Sequence, residues 1–497
     1  MNRFIIIFAA VVLLSACRTH KSLVPTRPSA APDYFSTWNI QGYVANYASE
    51  PTVAVMDERH MFGTGPLEGW CDFFPDFRED LIFVMDDSWD IPAGTHEGNQ
   101  AHMGNARLDE SRFPGCKGSA VKRLSQLTRR VKAKGWKGLG GWICAQEAAS
   151  ESDAARPQEY WKTRLKECAK AGMTYWKVDY GKQENNTEWR DMLTRTAHRY
   201  ASSLRVEHAF VNSEIVRADV FRTYDVEVVT SVPVTLQRIA RLLSYRSRNA
   251  SGGIINCEDE PYMAVGLGCA IGVMRHPLNG PLPDGRPDHV FPVGGRDLKS
   301  RLDEVNRALK WHRIALPFGV DDDACVDDHL LQDVWVLAER ETWVPSHHPG
   351  DTLREAAPAR ISRLMPLPEV ECSGEAPFVV ASSYPNGAVA VATLERGIMR
   401  HSYTPEARVT VRAGRPDSPV GIFGSYGELC IRYSLPVPHT ARILAQDLKG
   451  KEAVDITSMV YVRGNAVIVP GDIIRKIGLM AATPGDKSAP GMVMLIK

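Results

Sequence analysis

Four apolar runs in this 497-residue chain end in carboxylates: Met85-Asp86-Asp87, Val178-Asp179, Tyr224-Asp225 and Cys257-Glu258-Asp259-Glu260. A carboxylate at the end of a buried strand costs desolvation unless something offsets it. A single one reads as a cap for the following helix. Four of them, on strands of one barrel, converge on one pocket. Lys177 stands two residues before Asp179, so both side chains lean to the same face of their strand. An ammonium in that place keeps the carboxylate ionised, and therefore nucleophilic, at neutral pH. The alternative reading of that pair is a structural salt bridge.

The elements that must position these acids follow from hydrophobic period. Between about Thr37 and Phe318 short apolar runs alternate with amphipathic segments. Leu81 to Met85, Trp136 to Ala145, Met173 to Val178, His208 to Asn212, Val220-Phe221 and Gly253 to Cys257 read as strands. Helical stripes run from Gly118 to Lys134, from Pro157 to Gly172, from Glu188 to Ser202, from Val234 to Ser247 and from Leu298 to His312. Strands alternating with helices of about 10–15 residues predict βαβ units on a parallel sheet. Roughly 280 residues suit one closed (β/α)₈ TIM barrel of the α/β class, whose chemistry sits at the carboxyl ends of its strands. A doubly wound sheet is disfavoured, because no glycine-rich phosphate turn follows the first strand. After Phe318 short runs separated by Gly, Pro and Asn predict a C-terminal antiparallel β-sandwich over residues 321–497. The acidic stretch 321–328 lacks the spacing of a calcium loop and reads as a solvated junction.

Composition narrows the function classes. Lys plus Arg and Asp plus Glu are each 59; with no net charge there is no electrostatic footprint for nucleic acid. Arg3 and an apolar run from Phe4 to Leu14 open the chain. The run is too short to span a bilayer and reads as a signal peptide over residues 1–16. Leu-Ser-Ala-Cys resembles the bacterial lipoprotein signal, which implies lipidation at Cys17, a membrane anchor and a place in the bacterial cell envelope, on the outer membrane. Residues 17–36 are expected to form a tether, with the barrel over 37–320. The nine later cysteines show no CxxC pair and predict no disulfide framework. His60, His96, His102, His208, His276 and His289 lack metal-ligand spacing, so no metal is expected.

The stretch EYWKTRLKECAKAGMTYWKVDYGK (159–182) resembles the nucleophile strand and preceding helix of the α-galactosidase clan, glycoside hydrolase families 27 and 36. MDDSWD (85–90), RFPGCKG (112–118), WKGLGGW (136–142) and FRTYD (221–225) resemble further segments of that clan. The resemblance implies an exo-acting retaining glycosidase with Asp179 as nucleophile and Asp225 as acid/base. It implies that Lys177 and Arg222 contact sugar hydroxyls and that Asp86 and Asp87 bind the hydroxyls that mark galactose. Trp89 and Trp142 would offer apolar faces to the ring, and no cofactor is needed. The expected partner is a carbohydrate bearing terminal α-galactosyl or stereochemically related residues, such as β-L-arabinopyranosides. Two departures stand out. Arg222 and Asp225 are three apart where the clan commonly has four, which leaves Asp219, and more weakly Glu214, as competitors for the acid. The segment CEDEPYMAVGLG (257–268) is also unusually acidic for a seventh strand. A surface glycan-binding lipoprotein on a catalytically inactive barrel is the alternative reading.

Overall fold

The computed structural model describes residues 19–48, 50–95, 104–148, 155–209, 217–223, 228–244, 253–278, 296–320, 323–339, 341 and 346–497. Eight parallel strands close a barrel: β1 (Tyr34–Ser36), β2 (Ile82–Met85), β3 (Gly138–Ile143), β4 (Tyr175–Val178), β5 (Arg205–Ala209), β6 (Val220–Arg222), β7 (Ile254–Glu258) and β8 (Ala270–Val273). The ring is completed where β8 pairs back on β1, Tyr34 opposite Gly272. Around it lie α1 (Trp38–Ala48), α2 (Ala120–Ala133), α3 (Pro157–Lys170), α4 (Thr187–Tyr200), α5 (Ser231–Ser244), α6 (Pro261–Gly266) and α7 (Leu302–His312). Ser119 caps α2 through the backbone N–H of Lys122, and Asn186 caps α4 through that of Trp189, as their side-chain oxygens allow.

Period-two alternation sorts the barrel strands. Phe35, Phe83, Leu139, Trp176, Val206 and Ile255 point outward into the core shared with the helices. Tyr34, Ile82, Val84, Tyr175 and Val220 form a small separate cluster inside the ring. Charged residues take the remaining inward places towards the carboxyl ends.

Two expectations are corrected here. The barrel begins at Tyr34, ahead of Thr37, because Tyr34-Phe35-Ser36 alternates in and out of the ring although it is only three residues long. Residues 19–32 do not form a free tether. Thr19–Lys21 adds an edge strand, pairing with Glu452–Val454. The chain then runs under the barrel, where the backbone N–H of Ser29 donates to Asp80 (2.7 Å). Arg313 donates to the carbonyls of Pro25 and Thr26. Backbone pairing and these buried polar contacts hold a segment whose composition alone reads as linker.

The C-terminal region is built on a nine-stranded sheet that also takes in Thr19–Lys21, and a five-stranded sheet faced against it. Most pairs are antiparallel. Val389–Leu394 and Val420–Phe423 run parallel, because the strands between them, Arg396–Ile398, His401–Tyr403 and Arg408–Ala413, belong to other sheets. Val379, Val391, Ile422 and Met494 on one face of the large sheet pack against Val409, Leu429 and Val467 of the smaller one. Phe378, Val380, Ala392 and Phe423 on its other face join the core of the barrel. Because the sheet is covered on both faces, Val389–Leu394 is buried throughout and apolar except at Thr393, whose hydroxyl donates to the Ser425 carbonyl.

Among the described residues several ion pairs cross this junction, Arg296–Glu395 among them, and Arg307–Asp447 is the most deeply buried of these. Arg307 on α7 reaches Asp447 through Nε and Nη2, at 2.9 and 3.1 Å. Both side chains are buried. Arg307→Met is expected to lower stability by about 3–5 kcal/mol, because it leaves a buried carboxylate without its cation. Urea denaturation followed by tryptophan fluorescence would measure this, and a change under about 1 kcal/mol would contradict it.

Candidate active site

Asp179 sits one residue beyond the end of β4, at the carboxyl-end mouth of the barrel, and is 7% exposed. Three donors surround it. Arg222 Nη2 lies 2.8 Å from Oδ1, and Trp142 Nε1 donates to Oδ2 at 3.0 Å. Lys177 Nζ stands 3.7 Å from Oδ2 and 2.7 Å from Asp86 Oδ2. Burial pushes the Asp179 carboxyl up, but the Arg222 guanidinium, the Lys177 ammonium and the Trp142 N–H outweigh it and hold it below its ordinary range. This is a carboxylate kept ionised inside a barrel, the state a nucleophile requires.

Arg222, the last residue of β6, is fully buried and meets three carboxylates. Besides Asp179 they are Glu258 at the end of β7, 2.7 Å from Nη1, and Glu207 on β5, 3.3 Å from Nε. Glu207 accepts from the hydroxyls of Tyr175 (2.7 Å) and Tyr34 (3.2 Å). Gly272 makes room for this, since a Cβ there would lie 2.9 Å from the Tyr34 hydroxyl. Of this network, Glu207 carries no role in the sequence analysis, and Glu258 figures there only within the acidic end of the seventh strand. Glu207 escaped because the fifth strand was expected at His208 to Asn212, three residues too late. The strand spans Arg205–Ala209, with Glu207 turned in and His208 turned out to Arg190 and Thr194. Glu258 was grouped with its acidic neighbours; alternation along β7 with Asn256 would have singled it out.

Burial, opposed mainly by Arg222, raises the Glu207 carboxyl from 4.5 to about 7. Between those values the folded protein holds a proton that the unfolded chain has released. This stabilisation is complete at the acidic end and is lost as pH rises towards 7. Glu207→Gln cannot ionise, so its stability relative to wild type is expected to improve by about 3 kcal/mol between about pH 4.5 and 7.5. Chemical denaturation at the two pH values measures this; parallel curves would refute it.

The other sequence-predicted residues divide. Asp86 is buried and also accepts from Ser36 Oγ. Asp87 lies beside it, buried, with Ser88 Oγ on its Oδ1 at 3.0 Å. Ser88 holds φ at 81° and Asp259, just past β7, at 49°, so non-glycine residues occupy the left-handed region at two strand ends of the mouth. Trp142 is buried, meets Tyr180 edge-on at 5.9 Å and donates its N–H to Asp179. Trp89 is corrected as a sugar platform. It is fully enclosed, donates to the Trp142 carbonyl at 2.9 Å and fills the space Gly141 leaves, where a Cβ would lie 2.9 Å from its ring. Asp219 is corrected as an acid candidate, since it precedes β6 at the opposite end of the barrel and binds His198 and the Val206 N–H. Asp225 and Glu214 lie outside the described residues, as does Cys17. The acidity of the seventh strand is explained by separate cations: Asp259 meets Arg275, and Glu260 meets Arg296. Among the described residues no group of three or more His, Cys, Asp or Glu side chains is placed to hold a metal ion. The nine cysteines after Cys17 are free thiols, with Cys325 and Cys372 exposed.

The fold and mouth thus define a TIM barrel with a C-terminal β domain and a charged strand-end site. No family model matches the chain, and no curated protein sequence is similar to it. Solved structures are similar in architecture. α-Galactosidase I from Mortierella vinacea is 9% identical over 95% of this chain and 98% of its own, with a TM-score of 0.36. A β-L-arabinopyranosidase of glycoside hydrolase family 27 from Geobacillus stearothermophilus is 10% identical over 94% and 97%, with a TM-score of 0.37. The catalytic domain of a family 30 xylanase from Talaromyces cellulolyticus is 8% identical over 95% and 98%, with a TM-score of 0.31.

Proposed function

We propose that the chain is a retaining glycoside hydrolase removing terminal α-galactosyl or stereochemically related residues from oligo- or polysaccharides. The observation that carries this reading is Asp179, held ionised at the barrel mouth by Arg222, Lys177 and Trp142. In this reading an Asp179 oxygen bonds to the anomeric carbon as the glycosidic C–O bond breaks. Asp225, three residues past the end of β6, gives its proton to the departing oxygen. Asp225 then takes a proton from water, which displaces Asp179 from the sugar and restores the original configuration. Lys177 and Arg222 fix the nucleophile and balance the negative charge crowded at the mouth. Asp86 and Asp87 supply acceptors for substrate hydroxyls.

The Leu-Ser-Ala-Cys sequence supports a lipid on Cys17 and a place in the bacterial envelope. Screening nitrophenyl glycosides and oligosaccharides, with the anomeric product followed by NMR in the first minutes, tests the catalytic reading. α-Galactoside or β-L-arabinopyranoside turnover with retention is expected. Inversion, or binding without any product, would overturn it.

A further inference from the structure

We propose that the face carrying the edge strand Thr19–Lys21 and the amino-terminal ends of the barrel strands is turned to the membrane, with the barrel mouth facing away from the bilayer. This rests on the lipid at Cys17 and is independent of which sugar is cleaved. Two observations carry it: the shortness of the connection and the path of the chain after it. Cys17 lies two residues before Thr19, a reach of about 8 Å at 3.8 Å per residue. Thr19–Lys21 is locked into the large sheet by Glu452–Val454, so a lipid there has no long tether on which to swing.

From that strand the chain is held under the barrel at successive points. Gln446 Oε1 accepts from Ser22 Oγ and the Leu23 N–H. Asp80 accepts from the Ser29 N–H, and Lys137 donates to the Ala31 carbonyl. Asp80 and Lys137 immediately precede β2 and β3, so this path marks the amino ends of the strands. Asp179 and Glu258 stand at the other ends of strands of four to six residues, roughly 13–20 Å at 3.3 Å per residue.

The surface beside the anchor is mixed in charge: Lys21, Arg27 and Lys451 are exposed there, and so are Glu452, opposite Lys21 across the strand pair, and Asp76. Lys451 also lines a cavity of about 450 Å³, with Asp76 as its only acid, between the N-terminal segment, α7 and residues 448–451. A single lipid chain anchors weakly by itself, so cations on the same face add to its hold on anionic lipid. A mouth held outward suits a water-borne glycan and excludes the headgroup sugar of a lipid in the same leaflet.

The test uses the full-length lipidated protein reconstituted in phosphatidylethanolamine–phosphatidylglycerol vesicles containing a headgroup spin-labelled lipid. Cys325→Ser with Cys372→Ser removes the exposed thiols. A fluorophore is then placed at Lys451→Cys, or at Asn185→Cys in the loop after β4. Quenching at position 451 is expected to be several-fold stronger than at 185. Equal quenching, or stronger quenching at 185, with the lipid confirmed on Cys17 by peptide mass, overturns the orientation alone. A peptide mass showing no lipid on Cys17 overturns the anchor and the orientation together. In neither case is turnover of a soluble glycoside affected, so the catalytic reading is judged separately.

Discussion

Asp179→Asn is expected to lower kcat by about 10⁴-fold or more on every substrate the protein cleaves, as loss of a nucleophile does where no other group can replace it. The fold should survive, because the amide keeps the shape of the carboxyl. Arg222 retains Glu258 and Glu207, and Lys177 retains Asp86. The diagnostic comparison is with Asp225→Asn. If Asp225 protonates the leaving group, that variant should still form a glycosyl-enzyme from substrates with activated leaving groups, and accumulate it. Intact-protein mass spectrometry after mixing with a dinitrophenyl glycoside reads this directly. Undiminished turnover in Asp179→Asn removes the assigned nucleophile; an adduct on another residue relocates it.

Arg222→Met should be the most damaging single change to stability in the site. One guanidinium compensates three buried acids, and removing one partner from a buried ionic group costs about 3–5 kcal/mol. The pH dependence has a definite sign. Without the cation, Asp179 and Glu207 each bind a proton at higher pH in the folded state than they do beside Arg222. The folded variant then carries more protons than the unfolded chain over a wider interval, and its stability falls as pH rises. The deficit against wild type should therefore be larger at about pH 8 than at about pH 5, and urea midpoints at the two values measure it. A deficit that shrinks on alkalinisation would show that Arg222 does not set the charge of these acids.

Much of this was readable from residues alone, for reasons that differ by element. The barrel was legible because its outer strand faces and helices bury apolar stripes of regular period, as on α2 with Leu124, Leu127 and Val131. Lys177 and Asp179 were legible because a two-residue spacing on a strand has one geometric meaning. The fifth strand was displaced because inward Glu207 and outward His208 break the apolar run; their partners on β1, β4, β6 and α4 are distant in sequence. Trp89 was misjudged because type alone does not separate a ring under a glycine from one facing a pocket. The N-terminal segment was misjudged because backbone pairing leaves no mark in composition. The convergence of three acids on Arg222 depends on register between β4, β5, β6 and β7, which no local pattern records.

The doubly covered nine-stranded sheet has a consequence for how the two halves of the chain can be separated. Cutting after residue 320 would uncover Phe378, Val380, Ala392 and Phe423 on one side and the helix surfaces they cover on the other. Neither fragment should be soluble by itself, and the C-terminal half cannot be exchanged between relatives as a detachable module. It acts as a fixed wall of the barrel.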